Sequence, residues 1–331
     1  MRLVAPRRYG KTSVLLAHAK TLGEASWHVA YVDFSRIADL SDAGRRVAAA
    51  YARLDATWLR SHLGGLLARI GVSLTVSPVA LSFQPRRDPE AAEEAIYRLL
   101  DLPLTMFDRT GQPTLVVFDE FQDLLTARDD LDGLLRSRIQ YHGDAAAYVY
   151  AGSEPSLMQA LFERRERPLY GQADPLSLGP LPRDTLTDAL ATRFEAERLD
   201  PGEALGQLVA FADGHPQRTM LLAYHLADRL TGSGEEGTAW LASEVIEDCV
   251  HKTADAHGAL WGQLGRSEQI VLAALADGLA ATSRAVADEH RVSHVALAQA
   301  ARRLASVGQL ARDGRGWRII DPLLAEWLRR R

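Results

Sequence analysis

The sequence predicts an α/β protein in three parts: a parallel β-sheet with helices on both faces over residues 1–180, a helical domain over 181–261 and a winged helix-turn-helix over 262–331. Three observations predict this. Up to about residue 180, short apolar runs alternate with stretches of helical periodicity, the pattern of parallel strands joined by crossover helices. From Arg183 to about Leu241 the periodicity is helical throughout. After Gly262, three short helical segments lead into two short strands with glycines between them.

In chain order, Arg2–Ala5, Val29–Asp33 and Thr114–Asp119 read as buried strands, and Ala147–Ala151 as a fourth. Each is short and partly β-branched or aromatic, and each ends in polar or glycine-containing turns. Thr12–Leu22 and Pro89–Phe107 carry apolar residues at helical spacing, whereas Ser73–Phe83 alternates like a hairpin inserted in the sheet domain. Helices are expected over Arg183–Leu199, Pro201–Ala212 and Gln217–Leu230. The breaks fall at Asp200-Pro201 and Gly214-His215-Pro216, where a proline suits a first helical turn. A flexible loop over 231–237 precedes a helix over Thr238–His257. The last part reads as helices Glu268–Ala276, Ser283–Glu289 and Ser293–Val307, then strands Gln309–Arg312 and Trp317–Ile320. Ser293 is placed to cap the third helix, with Val295, Ala298, Ala301 and Leu304 towards the core and His294, Gln299 and Arg302 as polar positions.

Composition narrows the class. With 47% hydrophobic and 24% charged residues, the 331-residue chain is neither disordered throughout nor collagen-like, and no apolar run is long enough to span a membrane. The single cysteine, Cys249, fits a reduced cytoplasmic setting and a buried thiol. The opening strand runs directly into a loop at Pro6, leaving no space for a signal-peptide apolar region.

That loop carries the first chemical signal. Ala5-Pro6-Arg7-Arg8-Tyr9-Gly10-Lys11-Thr12 matches G-x-x-x-x-G-K-[ST] except at Ala5. A strand leads in and an apolar helix leads out, so backbone N–H groups and a helix N-terminus can surround a triphosphate. Lys11 is expected to reach the β- and γ-phosphates and Thr12 to offer its hydroxyl to Mg²⁺, with Pro6, Arg7, Arg8, Tyr9, Gly10 and Ser13 completing the nucleotide loop. The second signal is Leu115-Val116-Val117-Phe118-Asp119-Glu120, adjacent carboxylates at the end of a buried strand. Asp119 is expected at the metal and Glu120 as the general base. Ser153, after the next strand, is either a polar sensor of the γ-phosphate or a helix N-cap.

These residues resemble a known family. Pro6–Ser13, Phe118-Asp119-Glu120-Phe121-Gln122, Ala151-Gly152-Ser153-Glu154 and Leu169-Tyr170-Gly171 together resemble the archaeal-type ATPases of the STAND branch of AAA+ P-loop NTPases, distantly similar to origin-recognition ATPases. Gly214-His215-Pro216 resembles the branch's G-x-P motif, which implies that Pro216 lies near adenine. Asp321-Pro322-Leu323-Leu324 with Trp327 resembles the end of the family's C-terminal winged helix. The resemblance implies a P-loop NTPase sheet, a helical lid and a winged helix, with ATP and Mg²⁺ as ligands. Members carry an acidic, arginine-containing segment near adenine before the first strand. This chain opens on the strand, which leaves two readings: a start shortened by one segment, or adenine held by Pro216 and its neighbours alone. Arg138, Arg164, Arg165 and Arg193 are candidate arginine fingers, each more often a solvated helix charge.

The formal charge of −5 is unevenly distributed. Residues 262–331 hold 11 arginines, no lysine and 7 acids, a net +4, which leaves −9 on the remainder. This polarity suits a tail that contacts duplex DNA, or equally one that docks a protein partner or a second copy. The leading expectation is an ATP-binding, Mg-dependent ATPase acting as a conformational switch. The alternative is a DNA-binding regulator whose nucleotide site sets conformation with little hydrolysis, and a scaffold with a degenerate site is a third reading.

Overall fold

In the computed structural model, residues 1–54, 58–59, 62–64, 89–232, 236–312, 314 and 316–331 are described. The chain forms two compact units: Met1–Ala5 with Lys11–Ser177, and Pro6–Gly10 with Leu178–Arg331.

The first unit is built on a five-stranded sheet. Strands β1 (Arg2–Val4), β2 (His28–Asp33), β3 (Thr114–Asp119), β4 (Ala146–Gly152) and β5 (Pro175–Ser177) lie in the order β2-β3-β4-β1-β5, with all pairings parallel. Every residue of β3 is buried, because a parallel strand between two others is covered on both faces. Around the sheet run α1 (Lys11–Glu24), α2 (Leu40–Ala52), α3 (Pro89–Leu100), α4 (Leu102–Thr110), α5 (Leu124–Ala127), α6 (Leu131–Ile139) and α7 (Pro155–Glu163). Val116 and Phe118 face a core made with Val47 and Tyr51 of α2, Leu99 of α3, Met106 of α4, Leu135 of α6 and Phe162 of α7. Phe118 stacks on Phe34 at 5.4 Å and on Tyr148 at 6.0 Å. Leu115 and Val117 alternate to the opposite face and are buried too.

The predicted strands are present within a residue or so of their expected ends. Two features differ. The helix expected over Pro89–Phe107 is two helices meeting at Asp101, because Pro103 lacks an N–H and its ring crowds the preceding turn. Edge strand β5 has no buried residue and therefore no apolar run to announce it. The hairpin expected at Ser73–Phe83 lies outside the described residues.

The second unit is helical, with one small ribbon. Helices α8 (Arg183–Ala196), α9 (Gly202–Ala212), α10 (Pro216–Gly232) and α11 (Ala239–Gln263) enclose Leu190, Phe194, Leu208, Leu222, Leu226 and Val245. Helices α12 (Arg266–Ala276), α13 (Arg284–His290) and α14 (His294–Ser306) then pack with the antiparallel pair β6 (Leu310–Arg312) and β7 (Trp317–Ile319). A closing helix, α15 (Pro322–Arg329), gives Leu323 to the first of these cores and Leu324 and Leu328 to the second. Ser293 caps α14 through Ala296 N at 3.1 Å. Two core assignments are corrected here: Val295 is 63% exposed and Ala298 only half-buried, and the buried stripe is Leu297, Ala300, Ala301 and Leu304. The i, i+3, i+4, i+7 spacing starting at Leu297 meets the core, whereas Val295 sits on the first turn, where nothing covers it.

Candidate functional site

The carboxyl ends of β1, β3 and β4 lie side by side, since Val4 pairs with Gly152 and Phe118 with Tyr150. Brought together at this edge are Lys11 and Thr12 at the start of α1, Asp119 at the end of β3 with Glu120 after it, and Ser153 after β4. Open parallel sheets bind ligands at the carboxyl ends of their strands, where helix N-termini gather.

Lys11 is the centre of the cluster. Its Nζ donates to Asp119 Oδ1 at 3.1 Å and to Glu120 Oε1 at 3.0 Å, and its side chain is 7% exposed. Thr12 Oγ1 donates to Asp119 Oδ2 at 3.2 Å. Ser153 donates twice to Glu120 Oε2, from its backbone N–H at 3.1 Å and its hydroxyl at 2.7 Å. Glu154, not Ser153, occupies the N-cap position of α7, so the hydroxyl of Ser153 serves Glu120. Burial favours a neutral Glu120 carboxyl. The hydrogen bonds from Gln122 and Ser153, with the charge and hydrogen bond of Lys11, outweigh it and hold the group below the usual carboxylate range.

Two further residues belong here: Tyr31, which lies outside every motif, and Gln122, which ends the Phe118–Gln122 motif but has no role assigned to it in sequence. The Tyr31 hydroxyl, from β2, donates to Asp119 Oδ2, and burial followed by that hydrogen bond pushes the phenol well above its ordinary value. Gln122 is buried, and its amide nitrogen donates to Glu120 Oε2 at 2.7 Å and to Asp123 Oδ1 at 3.2 Å. The alternation of β2 would place Tyr31 on a face, but only the pairing of β2 with β3 shows that the face meets Asp119. Glu120 itself adopts a left-handed backbone (φ 48°), which turns the chain out of β3 into the Phe121–Asp123 turn.

The loop ahead of Lys11 groups with the second unit. Arg8 (φ 68°) and Gly10 (φ 78°) have left-handed backbones, and no side chain crowds Gly10, so its glycine is required by the backbone angle. Arg7 and Arg8 are exposed, while Tyr9 is buried with its ring 4.9 Å from that of His215. Pro216, the next residue, opens α10. Tyr9 also hydrogen-bonds Arg318 of β7. Burial lowers the His215 imidazole to about 4, so it is neutral at pH 7. Behind it, buried Arg218 makes a bidentate contact with Asp321, which also accepts from Leu323 N at 3.0 Å to cap α15. Burial opposes the charge of Asp321, but His257 and Arg218 outweigh it and hold the carboxyl far below its ordinary range.

The Thr12 hydroxyl and the Asp119 carboxylate, 3.2 Å apart, offer the oxygen ligands a hard divalent cation prefers, beside the Lys11 ammonium. Among the described residues no group of three or more His, Cys, Asp or Glu forms a metal cluster, and Cys249 is a buried free thiol. Arg138 pairs with Asp101 at 3.4 Å and lies over the ring of Tyr97, while Arg164, Arg165 and Arg193 are exposed. No helix among the described residues is long and apolar enough to cross a membrane.

No protein-family model matches the chain, and no curated protein matches it. Solved structures do. The Walker-type ATPase of Pyrococcus abyssi superposes with a TM-score of 0.68 at 20% identity, over 99% of this chain and 90% of that one. The ORC2 protein of Aeropyrum pernix, solved in ADPNP–ADP complexes, gives 0.62 at 16% identity, over 99% of this chain and 86% of that one. At these identities the likeness is one of fold, and the parallel five-stranded sheet with its helices is a P-loop NTPase α/β fold.

Proposed function

We propose that the protein binds ATP with Mg²⁺ at the Lys11–Asp119–Glu120 cluster and hydrolyses it, using the cycle as a conformational switch. The observation that carries this reading is one buried lysine, at a helix N-terminus, bridging two carboxylates at a strand end. A lysine so placed is one side-chain swing from a phosphate at the same helix end. Thr12 and Asp119 would hold Mg²⁺, which when bound neutralises phosphate charge. Lys11 would take the β- and γ-phosphate oxygens. Glu120 would orient a water and accept its proton as the water oxygen attacks the γ-phosphorus, the bond to the β–γ bridging oxygen breaks and ADP leaves. Ser153, placed on Glu120, would fix the base and so act on the γ-phosphate indirectly.

The switch reading is supported by the grouping of Pro6–Gly10 with Leu178–Arg331, which gives the residues before Lys11 a stake in the C-terminal unit. In this reading 181–261 is the helical lid and 262–331 the winged helix-turn-helix, with Pro216 towards the base. The test is Mg-dependent ATP binding and turnover. Lys11→Ala is expected to lose binding, and Glu120→Gln to retain binding while losing about 10²–10⁴-fold in turnover, the usual contribution of a general base. A Lys11→Ala variant that binds ATP as well as the wild type would refute the assignment.

One observation favours a second reading, that of a DNA-binding regulator. His294, Gln299 and Arg302 are exposed along the Ser293-capped helix α14, and Arg312 lies over Trp317 on the ribbon that follows.

A further inference from the structure

We propose that Lys11 and a divalent cation compete for the Asp119–Glu120 carboxylate pair, so that the cation binds only once the phosphates of a nucleotide have drawn Lys11 away. This deepens the ATP-site reading and rests on it for the identity of the phosphate.

The four carboxylate oxygens are divided between two sets of donors. Asp119 Oδ2 is held by the Thr12 and Tyr31 hydroxyls. Glu120 Oε2 is held by the N–H and hydroxyl of Ser153 and by the Gln122 amide. These donors fix the orientation of both carboxylates. The other two oxygens depend on Lys11: among the described residues it is the one side chain that donates to Asp119 Oδ1 and Glu120 Oε1, with the Glu120 N–H adding a bond to Oδ1 at 3.0 Å. One ammonium group therefore spans the two oxygens that a cation or an ordered water would need.

Charge makes the occupancy exclusive. A divalent cation entering beside the ammonium would add two positive charges within a few ångströms of a third, in a pocket where water screens little. Removing Lys11 reverses the balance, leaving a buried carboxylate and its half-buried neighbour without a counter-charge, a costly state that a cation relieves. A phosphate resolves this by offering Lys11 new oxygens within reach of its flexible stem, while Tyr31, Thr12, Ser153 and Gln122 keep the carboxylates in place. Tyr31 and Gln122 are thus positioning residues for the carboxylates.

The experiment is Mn²⁺ binding to the full chain freed of nucleotide, read by the electron paramagnetic resonance signal of free Mn²⁺. Wild type is expected to bind no more tightly than about 1 mM without nucleotide, the range of a poor oxygen site, and clearly tighter with ADP present. Lys11→Met is expected to bind Mn²⁺ without nucleotide at least about tenfold more tightly than wild type. Adding Asp119→Asn to that variant should abolish the gain, and Lys11→Arg, which keeps the cation, should stay as weak as wild type. Circular dichroism checks folding, and Lys11→Gln gives the same reading if Lys11→Met fails to fold. Wild type that binds ADP yet takes Mn²⁺ as tightly without it as with it, or no gain on removing the lysine charge in a folded variant, would overturn the competition. Wild type that ignores ATP while Lys11→Met still gains Mn²⁺ would instead sink the nucleotide reading and leave the competition standing.

Discussion

His215 and Asp321 show how single residues of the C-terminal unit make it sensitive to acid. His215 folds neutral because burial lowers it to about 4. In the unfolded chain it takes up its proton near the ordinary value of about 6.5. Between those values the unfolded state binds more protons, so this contribution is complete above the window and is lost as pH falls through it. The slope is up to about 1.4 kcal/mol per pH unit. Asp321 works lower: its stabilisation is present above the unfolded value of 3.8 and is lost as pH falls towards its own depressed value. Urea unfolding at pH 7 and pH 5 is expected to show a smaller difference for His215→Asn than for wild type. Asp321→Asn is expected to destabilise at pH 7 by about 3 kcal/mol, because it strands the buried Arg218 guanidinium. An unchanged unfolding midpoint for Asp321→Asn would contradict that role. The site residues divide by visibility in the same way. Lys11, Thr12, Asp119 and Glu120 are legible in sequence because phosphate chemistry fixes their spacing to strand ends. Tyr31 and Arg218 act through contacts between distant segments, so no local spacing marks them, and Asp321 is legible as part of a motif while its pairing with Arg218 is not.

Individual elements were readable in proportion to how much their burial shapes local sequence. β3 is buried at every position and reads as one continuous apolar run, while β5, exposed throughout, is invisible. α14 was legible as a helix, yet its core stripe was assigned through Val295 because alanine-rich helices present several apolar faces of similar weight. Gly214 is legible for a different reason, since a glycine before a helix-opening proline marks a turn. Its φ of 74° and a would-be Cβ only 2.5 Å from Leu181 O show that no other residue fits. Leu181 N, in turn, donates to Gly214 O at 2.9 Å, tying the entry of α8 to the entry of α10. Gly214→Ala is therefore expected to cost about 2 kcal/mol or more in chemical denaturation, from left-handed backbone strain and the clash together.

Over the whole molecule, the charge division and the closing helix bear on how the C-terminal residues can be tested. The net +4 of residues 262–331 is a modest electrostatic footprint, and its exposed carriers include Arg302 and Arg312. If these residues contact duplex DNA, binding falls steeply with salt, and Arg302→Glu with Arg312→Glu weakens it at least about tenfold at low salt, read by fluorescence anisotropy. Binding that is unaffected by both charges would count against the DNA reading. Truncating 262–331 is the poorer test, because α15 supplies Leu323 to the core of α8–α11 and Asp321 to Arg218. Nothing in the local sequence of this helix shows that its residues serve two cores at once. Nucleotide binding through Lys11 is read by titration calorimetry of the full chain with Mg-ATP, comparing wild type and Lys11→Ala. Wild type is expected to give heat and saturation and the variant none; equal binding by both would show that Lys11 does not hold the phosphates.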